Sequence, residues 1–281
     1  MVHHIGLIVM GAQTLSDFQI FLKTLSAWEK DVHLWIYADN ETKPTINAIK
    51  TSFTLHVRTC LDMYSGKNRQ QMEACPGRIY ETQWTDFMYE KAAVLDWIFA
   101  ESGTSTGAWF LDADIAFLGP LPNIPETAKV ALSPHFIRPA DEARFGKYNG
   151  GFTWFGDKSL VDVWRAAGHI ARFYEQSALE DVAAAAGKDL HEFPIQVNFG
   201  WWRMYQGTES ASAIQARFSI HRADIGVGIR YEDAPLQSIH THMYDNTSAN
   251  GAFNAWLNGF SNRFKVHGPI RNFRKAVGFS S

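Results

Sequence analysis

Two aspartates, Asp112 and Asp114, stand one residue apart inside the apolar run WFLDADIAFLGPLP at positions 109–122. In an extended chain residues i and i+2 point to one side, so both carboxylates can aim at one point. Two close like charges repel unless a cation lies between them. Hard divalent ions take oxygen ligands. The pair therefore predicts a site for Mn²⁺ or Mg²⁺ that is open to a phosphate ligand. The plainer alternative is that one Asp caps the next turn while the other is solvated.

Such a pair needs a scaffold. The chain has 281 residues, enough for one large domain or two intimate ones. Its 46% hydrophobic and 20% charged residues are the usual balance of a globular protein. A net charge of -3 gives no broad basic field for nucleic acid. Cys60 and Cys75 are the only cysteines, without CxxC spacing, so neither a disulfide framework nor a cysteine zinc site is expected. The opening MVHHIGLIVMG lacks a basic region and a cleavage-like site, and no apolar run approaches the roughly 18 residues of a membrane span. A reducing, cytoplasmic setting is the resulting expectation. Ten Trp and twenty Phe predict a well-filled core, with some rings free to stack on sugars or bases.

The first half alternates strand and helix signals. Strands are predicted over 4–11, 32–42 and 54–61, and a helix over 14–30 with apolar residues at helical spacing. Residues 65–78 are polar and read as a long surface loop. A helix is predicted over 85–102, capped by Thr85 or Asp86, and then a buried strand over 108–118 carrying the acids. Alternation of this kind implies an α/β fold with a central, mainly parallel sheet flanked by helices. Ligands bind such sheets at the carboxyl ends of the strands, where the acid pair falls. Further strands are expected in YNGGFTWFG (148–156) and FPIQVNFG (193–200), and helices in the Ala-rich stretches between them.

The segment EKAAVLDWIFAESGTSTGAWFLDADIAFLGPLP resembles the helix-then-DxD region of GT-A-fold nucleotide-sugar glycosyltransferases. YNGGFTWFG resembles that group's N-x-G-F acceptor-side strand, FPIQVNFG the Asp-Gln-x-x-Asn region of its family-8-like branch, and SIHTHMYD (238–245) its late His-containing segment. The resemblance covers most of the chain. It implies a single catalytic domain over 1–281, with a nucleotide-binding half to about residue 120, a donor-sugar and acceptor half over about 121–245, and a C-terminal tail over 246–281.

Carried over residue by residue, the resemblance makes Asp112 and Asp114 the holders of a metal that bridges the donor diphosphate, with His240 and His242 as candidate further ligands. Gly11 and its neighbours at 10–13 would border the nucleotide base. Asp39 would contact uracil or ribose, and Lys91 would face the diphosphate. Asn149, Gly150 and Gly151 would pass close beneath the donor. Gln196 and Asn198 would alternate on a strand toward the donor sugar, and Glu192 or Asp181 would serve as a base if the reaction inverts. Trp154, Trp201 and Trp202 are candidate sugar platforms. The branch pattern has an acid before the Gln, whereas Ile195 stands here, so retaining and inverting chemistry both stay open. The implied partners are a UDP-sugar donor and a glycan or glycoconjugate acceptor, as in polysaccharide biosynthesis. The basic, aromatic tail NRFKVHGPIRNFRKAVGF is a candidate for peripheral contact with an anionic membrane.

Two rival readings use the same acids. A haloacid-dehalogenase-type phosphatase would combine Asp112 and Asp114 with Ser133, Lys147, Gly156, Asp157 and Asp162 in that order. A non-catalytic nucleotide-sugar-binding protein would keep the fold without the transfer.

Overall fold

Short β-branched and aliphatic runs build the central sheet, and their continuity reflects helices packed on both of its faces. The structure is a computed structural model that describes residues 2–103, 106–223, 226–246, 248–262 and 269–279. β1 (His3–Val9), β2 (Val32–Ala38), β3 (Thr54–Thr59) and β4 (Ala108–Leu111) run parallel in the order β3-β2-β1-β4. β5 (Ile115–Phe117) leaves this sheet. β6 (Val130–Pro134), β7 (Tyr148–Phe155) and β8 (Leu190–Glu192) complete it as β4-β7-β6-β8, with β7 antiparallel to both neighbours and β8 parallel to β6. β9 (Phe199–Gly200), β10 (Phe218–Ala223), β11 (Gly226–Tyr231), β12 (Ala234–Pro235) and β13 (Ser238–His240) follow. β13 pairs antiparallel with β5 and parallel with β9, which makes a small second sheet, while β10, β11 and β12 form an antiparallel third.

The helix Gly11–Leu25 lays Phe18, Phe21, Leu22 and Leu25 on one face of the large sheet, against Ile5, Leu7 and Val9 of β1. The helix Gln83–Ser102 covers the other face with Val94, Leu95, Trp97 and Ile98. Each large apolar side chain buried in this way contributes about 1.5–3 kcal/mol. The expected α/β layering is therefore present.

Local differences from the sequence reading have identifiable causes. The predicted strand over 108–118 is split: β4 ends at Leu111, residues 112–114 turn, and β5 pairs in the second sheet. The acids thus converge because the chain changes sheets there, not because an extended strand alternates its side chains. The helix after residue 82 is capped by Thr82, which accepts from Thr85 N–H. Asp86 instead accepts the backbone N–H groups of Ile79 and Tyr80, and also bonds that of Arg78, so it holds the preceding loop. That loop contains a short helix, Arg69–Glu73, closed by an Asn68–Gln71 capping box.

In the tail, the helices Ser248–Asn262 and Pro269–Val277 pack onto the rest of the fold. Ile270, Phe273 and Val277 of the helix Pro269–Val277 are buried in a third apolar cluster together with Phe253 and Leu257. These three apolar residues of the expected membrane-contact segment are committed to the core. Residues 263–268 of that expected segment lie outside the described residues. No helix among the described residues is long and apolar enough to cross a membrane.

Candidate functional site

The site forms where β4 stops. Asp112 N–H donates to the Gly151 carbonyl (2.8 Å), tying the acid turn to β7, and Thr241 N–H donates to the Asp114 carbonyl (3.2 Å), tying it to the end of β13. β13 pairs His240 with Ile115, directly after the acids. The His240 ring consequently enters the turn, with Nε2 3.1 Å from Asp114 Oδ1 and 3.7 Å from Asp112 Oδ2. One ligand atom from each of Asp112, Asp114 and His240 lies within 4.8 Å of the others. Burial alone would raise the Asp114 pKa, but His240 and His242 beside it hold its carboxyl far below the ordinary range.

His242 lies on the edge of this group and is bound elsewhere. Its Nδ1 is 2.9 Å from Asp17 Oδ2 and 3.5 Å from Asp114 Oδ2. Its hydrogen bond to Asp17 overcomes burial and lifts the imidazole to about 9. Asp17, buried on the helix Gly11–Leu25, also accepts from Met243 N–H at 3.3 Å. The two candidate histidines therefore differ in surroundings. His240 closes the acid pair, and His242 is Asp17's partner at the cleft wall.

A second buried ion-pair system supports Asp112 from below. Lys91 Nζ lies 2.8 Å from Glu175 Oε1 and 3.3 Å from Asp112 Oδ1, and donates to the Gly150 carbonyl at 3.3 Å. Burial would lower the Lys91 pKa, but the two acids hold it above its ordinary value. Burial raises the Glu175 pKa against the pull of Lys91. The backbone of β7 passes through the remaining gap only because it carries two glycines. A Cβ on Gly150 would sit 2.6 Å from Glu175 Oε1, and one on Gly151 would sit 2.1 Å from Asp112 Oδ2 and 2.6 Å from His240 Cε1. Two carboxylates and an imidazole nitrogen whose ligand atoms lie within 4.8 Å of one another fit a hard divalent cation such as Mn²⁺ or Mg²⁺, and Gly151 puts no side chain against Asp112 or His240.

An open cleft of about 500 Å³ runs from this point along the end of β1. Met10, Gln13 and Thr14 border it on one side, and Arg69, Trp84 and Phe87 on the other. Gly11 starts the adjoining helix at φ +78, a left-handed conformation that favours glycine, and a Cβ there would meet nothing within 4 Å. Backbone conformation, not close approach of a neighbouring protein atom, is what needs Gly11.

Other expected site residues are placed differently. Asp39 is buried, and its carboxylate accepts from Thr42 N–H (2.8 Å), Thr42 Oγ1 (2.5 Å) and Ser65 Oγ (2.9 Å). It fastens the turn after β2 and is not among the residues lining the cleft. Residues 195–197 turn instead of extending, because Val197 N–H bonds back to the Pro194 carbonyl, so Gln196 and Asn198 do not alternate on a strand. Gln196 Nε2 donates to the Tyr231 carbonyl at 3.1 Å, away from the acids. Asn198 is fully buried, and both ends of its amide are bonded within the protein, to His240, Ser133 and Asn149. Glu192 is engaged by Lys147 (2.7 Å) and Tyr148 Oη (2.6 Å). Against the upward push of burial, these bonds lower its pKa, which makes it a weak base. Asp181 is exposed on the helix Leu179–Ala186. Trp154 packs over Gly107 and Gly156 at the opposite end of β4, while Trp202 meets the His240 ring edge-on with centroids 5.0 Å apart. Trp201 is half-buried beside Trp202.

The phosphatase constellation does not assemble. Asp157 caps the helix Lys158–Ala167 through Ser159 N–H, just past the β7 end that pairs with the start of β4. Asp162 pairs with Lys158 on that helix, and Lys147 pairs with Glu192. Asp17 and Glu175 are the site residues the sequence reading missed. Asp17 left one signal, a carboxylate on the apolar face next to Phe18 and Phe21.

The sequence matches no protein-family model, and no curated protein sequence matches it. Its structure is similar to that of the galactosyltransferase LgtC in complex with donor and acceptor sugar analogs, at 9% identity and TM-score 0.54 over 98% of this chain and 95% of that one. It is similar to the apo form of the glycosyltransferase GlyE of Streptococcus pneumoniae (14% identity, TM-score 0.53, 92% of this chain), of which it spans 59%. The apo form of mouse xyloside xylosyltransferase 1 is similar over 88% of this chain and 99% of that one, at 11% identity and TM-score 0.51. These likenesses extend over 88–98% of the chain at 9–14% identity, and the chain has the GT-A glycosyltransferase fold.

Proposed function

We propose that the protein is a metal-dependent glycosyltransferase that moves a sugar from a nucleoside-diphosphate donor, a UDP-sugar, to a hydroxyl of a glycan or glycoconjugate. The observation that carries this reading is the convergence of Asp112, Asp114 and His240 at the head of a cleft that opens along β1. These three side chains would hold Mn²⁺ or Mg²⁺. Held there, such an ion would supply Lewis-acid neutralisation of charge on a departing nucleoside diphosphate.

The chain's own groups have separate tasks. Gly151 makes room for Asp112 and His240, and Gly150 makes room for Glu175. Lys91 fixes the Asp112 carboxylate from below, and Glu175 fixes Lys91. Met10, Gln13 and Thr14 border the nucleoside end of the cleft. Over the reaction the acceptor oxygen bonds to the anomeric carbon, the bond from that carbon to the nucleoside diphosphate breaks, and the hydroxyl proton passes to the released diphosphate or to water. A cytoplasmic place in polysaccharide assembly accords with two cysteines that are both free.

A thermal-shift screen of nucleotide-sugars with and without Mn²⁺ tests the binding. Stabilisation that needs both donor and ion, and is lost in Asp114→Ala, is the expected result. No shift with any donor would remove the basis of the assignment. Donor turnover separates a transferase from a binding protein on the same fold.

A further inference from the structure

Asn198 belongs to a buried chain of polar groups whose orientation can be read from its ends. Gly151 N–H is a fixed donor and lies 3.1 Å from Asn149 Oδ1. At the other end, His135 Nδ1 lies 3.0 Å from the Gly146 carbonyl, which can only accept, so that nitrogen carries the proton. The bare His135 Nε2 then faces Asn149 Nδ2 at 3.5 Å. Both ends of the Asn149 amide are therefore assigned independently and agree.

The next link follows. Asn149 Oδ1 lies 3.1 Å from Asn198, so the Asn198 amino group must point to it. The second hydrogen of that group goes to Ser133 Oγ at 3.2 Å. Asn198 Oδ1 is left facing His240 Nδ1 at 3.1 Å, and that contact is a hydrogen bond only if Nδ1 carries a proton. Nε2 is then the ring nitrogen presented to Asp112 and Asp114.

We propose that Asn198, locked by Asn149, is a positioning residue for the metal centre: it holds His240 as the Nδ1–H tautomer with Nε2 aimed at the ion. The role rests on the metal-site reading above. Partners behind a ligating histidine typically change metal affinity by about 10- to 100-fold when removed. The chain runs from a backbone amide of β7 to a side chain of β13, so it also fixes the distance between the two halves of the site.

The test is a titration of Mn²⁺ into the metal-free full chain, followed by the paramagnetic resonance of the free ion, with thermal melts to confirm folding of each variant. Asn198→Ala should weaken Mn²⁺ binding about 10- to 100-fold. Asn198→Asp keeps an oxygen opposite Nδ1 but loses both donations, to Asn149 and to Ser133, so it should bind more tightly than the alanine variant and below wild type, by about tenfold at most. Asn149→Ala frees the Asn198 amide to flip and should fall between them. Wild-type binding that survives Asn198→Ala, or an Asn198→Asp variant as weak as alanine, overturns the positioning role alone. A wild-type protein that binds neither Mn²⁺ nor Mg²⁺ overturns the metal reading and this role with it.

Discussion

Gly151 and Asp112 are in such close apposition that a single methyl would separate them: an ideal Cβ on the glycine falls 2.1 Å from the Asp112 Oδ2. Their backbones are tied as well, with Asp112 N–H donating to the Gly151 carbonyl at 2.8 Å. Gly151→Ala should therefore push the carboxylate out of place. Mn²⁺ affinity is expected to fall more than about tenfold, with a stability loss of about 1–3 kcal/mol from overpacking. Calorimetric titration and urea denaturation measure the two effects separately. Unchanged affinity would mean that Asp112 has another place to go.

Lys91 is buried between Glu175 and Asp112. Lys91→Met leaves both acids without their shared cation and should cost about 3–5 kcal/mol in urea denaturation. Adding Glu175→Gln removes the buried charge left behind and should restore part of the loss. A double variant no more stable than the single one would show that Glu175 does not depend on Lys91.

His135 gives the fold a pH dependence. Burial lowers its pKa from 6.5 to about 4, against the opposing bond to the Gly146 carbonyl, and Arg203 lowers it further. A group with a depressed folded pKa binds its proton in the unfolded chain first. Its neutral form contributes full stability above about pH 6.5, and that contribution is lost as the pH falls toward about 4. The loss should approach about 3 kcal/mol in total. Urea melts between pH 7 and 4.5 should show the decline, and His135→Gln should flatten it. An equally steep decline in the variant would assign the effect to other groups.

Asp39 separates a fold role from a ligand role. Its bonds to Thr42 and Ser65 mean that Asp39→Ala should lose about 1–3 kcal/mol of stability. Donor affinity at a temperature where the variant is folded should stay within about twofold of wild type, roughly 0.4 kcal/mol. A large fall in affinity with stability intact would return Asp39 to the nucleoside.

The sheet and the acid pair were legible because strands buried on both faces leave continuous apolar runs, and a carboxylate at the end of such a run stands out. Helix ends were less so. Thr82 and Thr85 are the same residue type three positions apart, and only the backbone shows which one caps. Asn198 was named from the sequence for contact with the donor sugar, and its bond to His240 was not legible. Its alternation with Gln196 assumed a strand, and Pro194 sets a turn there. Its partner His240 is 42 residues away, and Asp17 is 225 residues from His242. No local pattern carries pairings at those distances. Glu175 was hidden for a similar reason: a buried acid on the four-residue helix Tyr174–Ser177 looks solvated until Lys91 of another helix is seen against it.

The most direct measurement of the central claim is release of nucleoside diphosphate from a panel of nucleotide-sugars, with water as the default acceptor. At least one donor should be turned over with Mn²⁺ or Mg²⁺ present, not after chelation, and not by a folded Asp114→Asn variant. No release from any donor with either ion, or ion-independent release that survives Asp114→Asn, would contradict it.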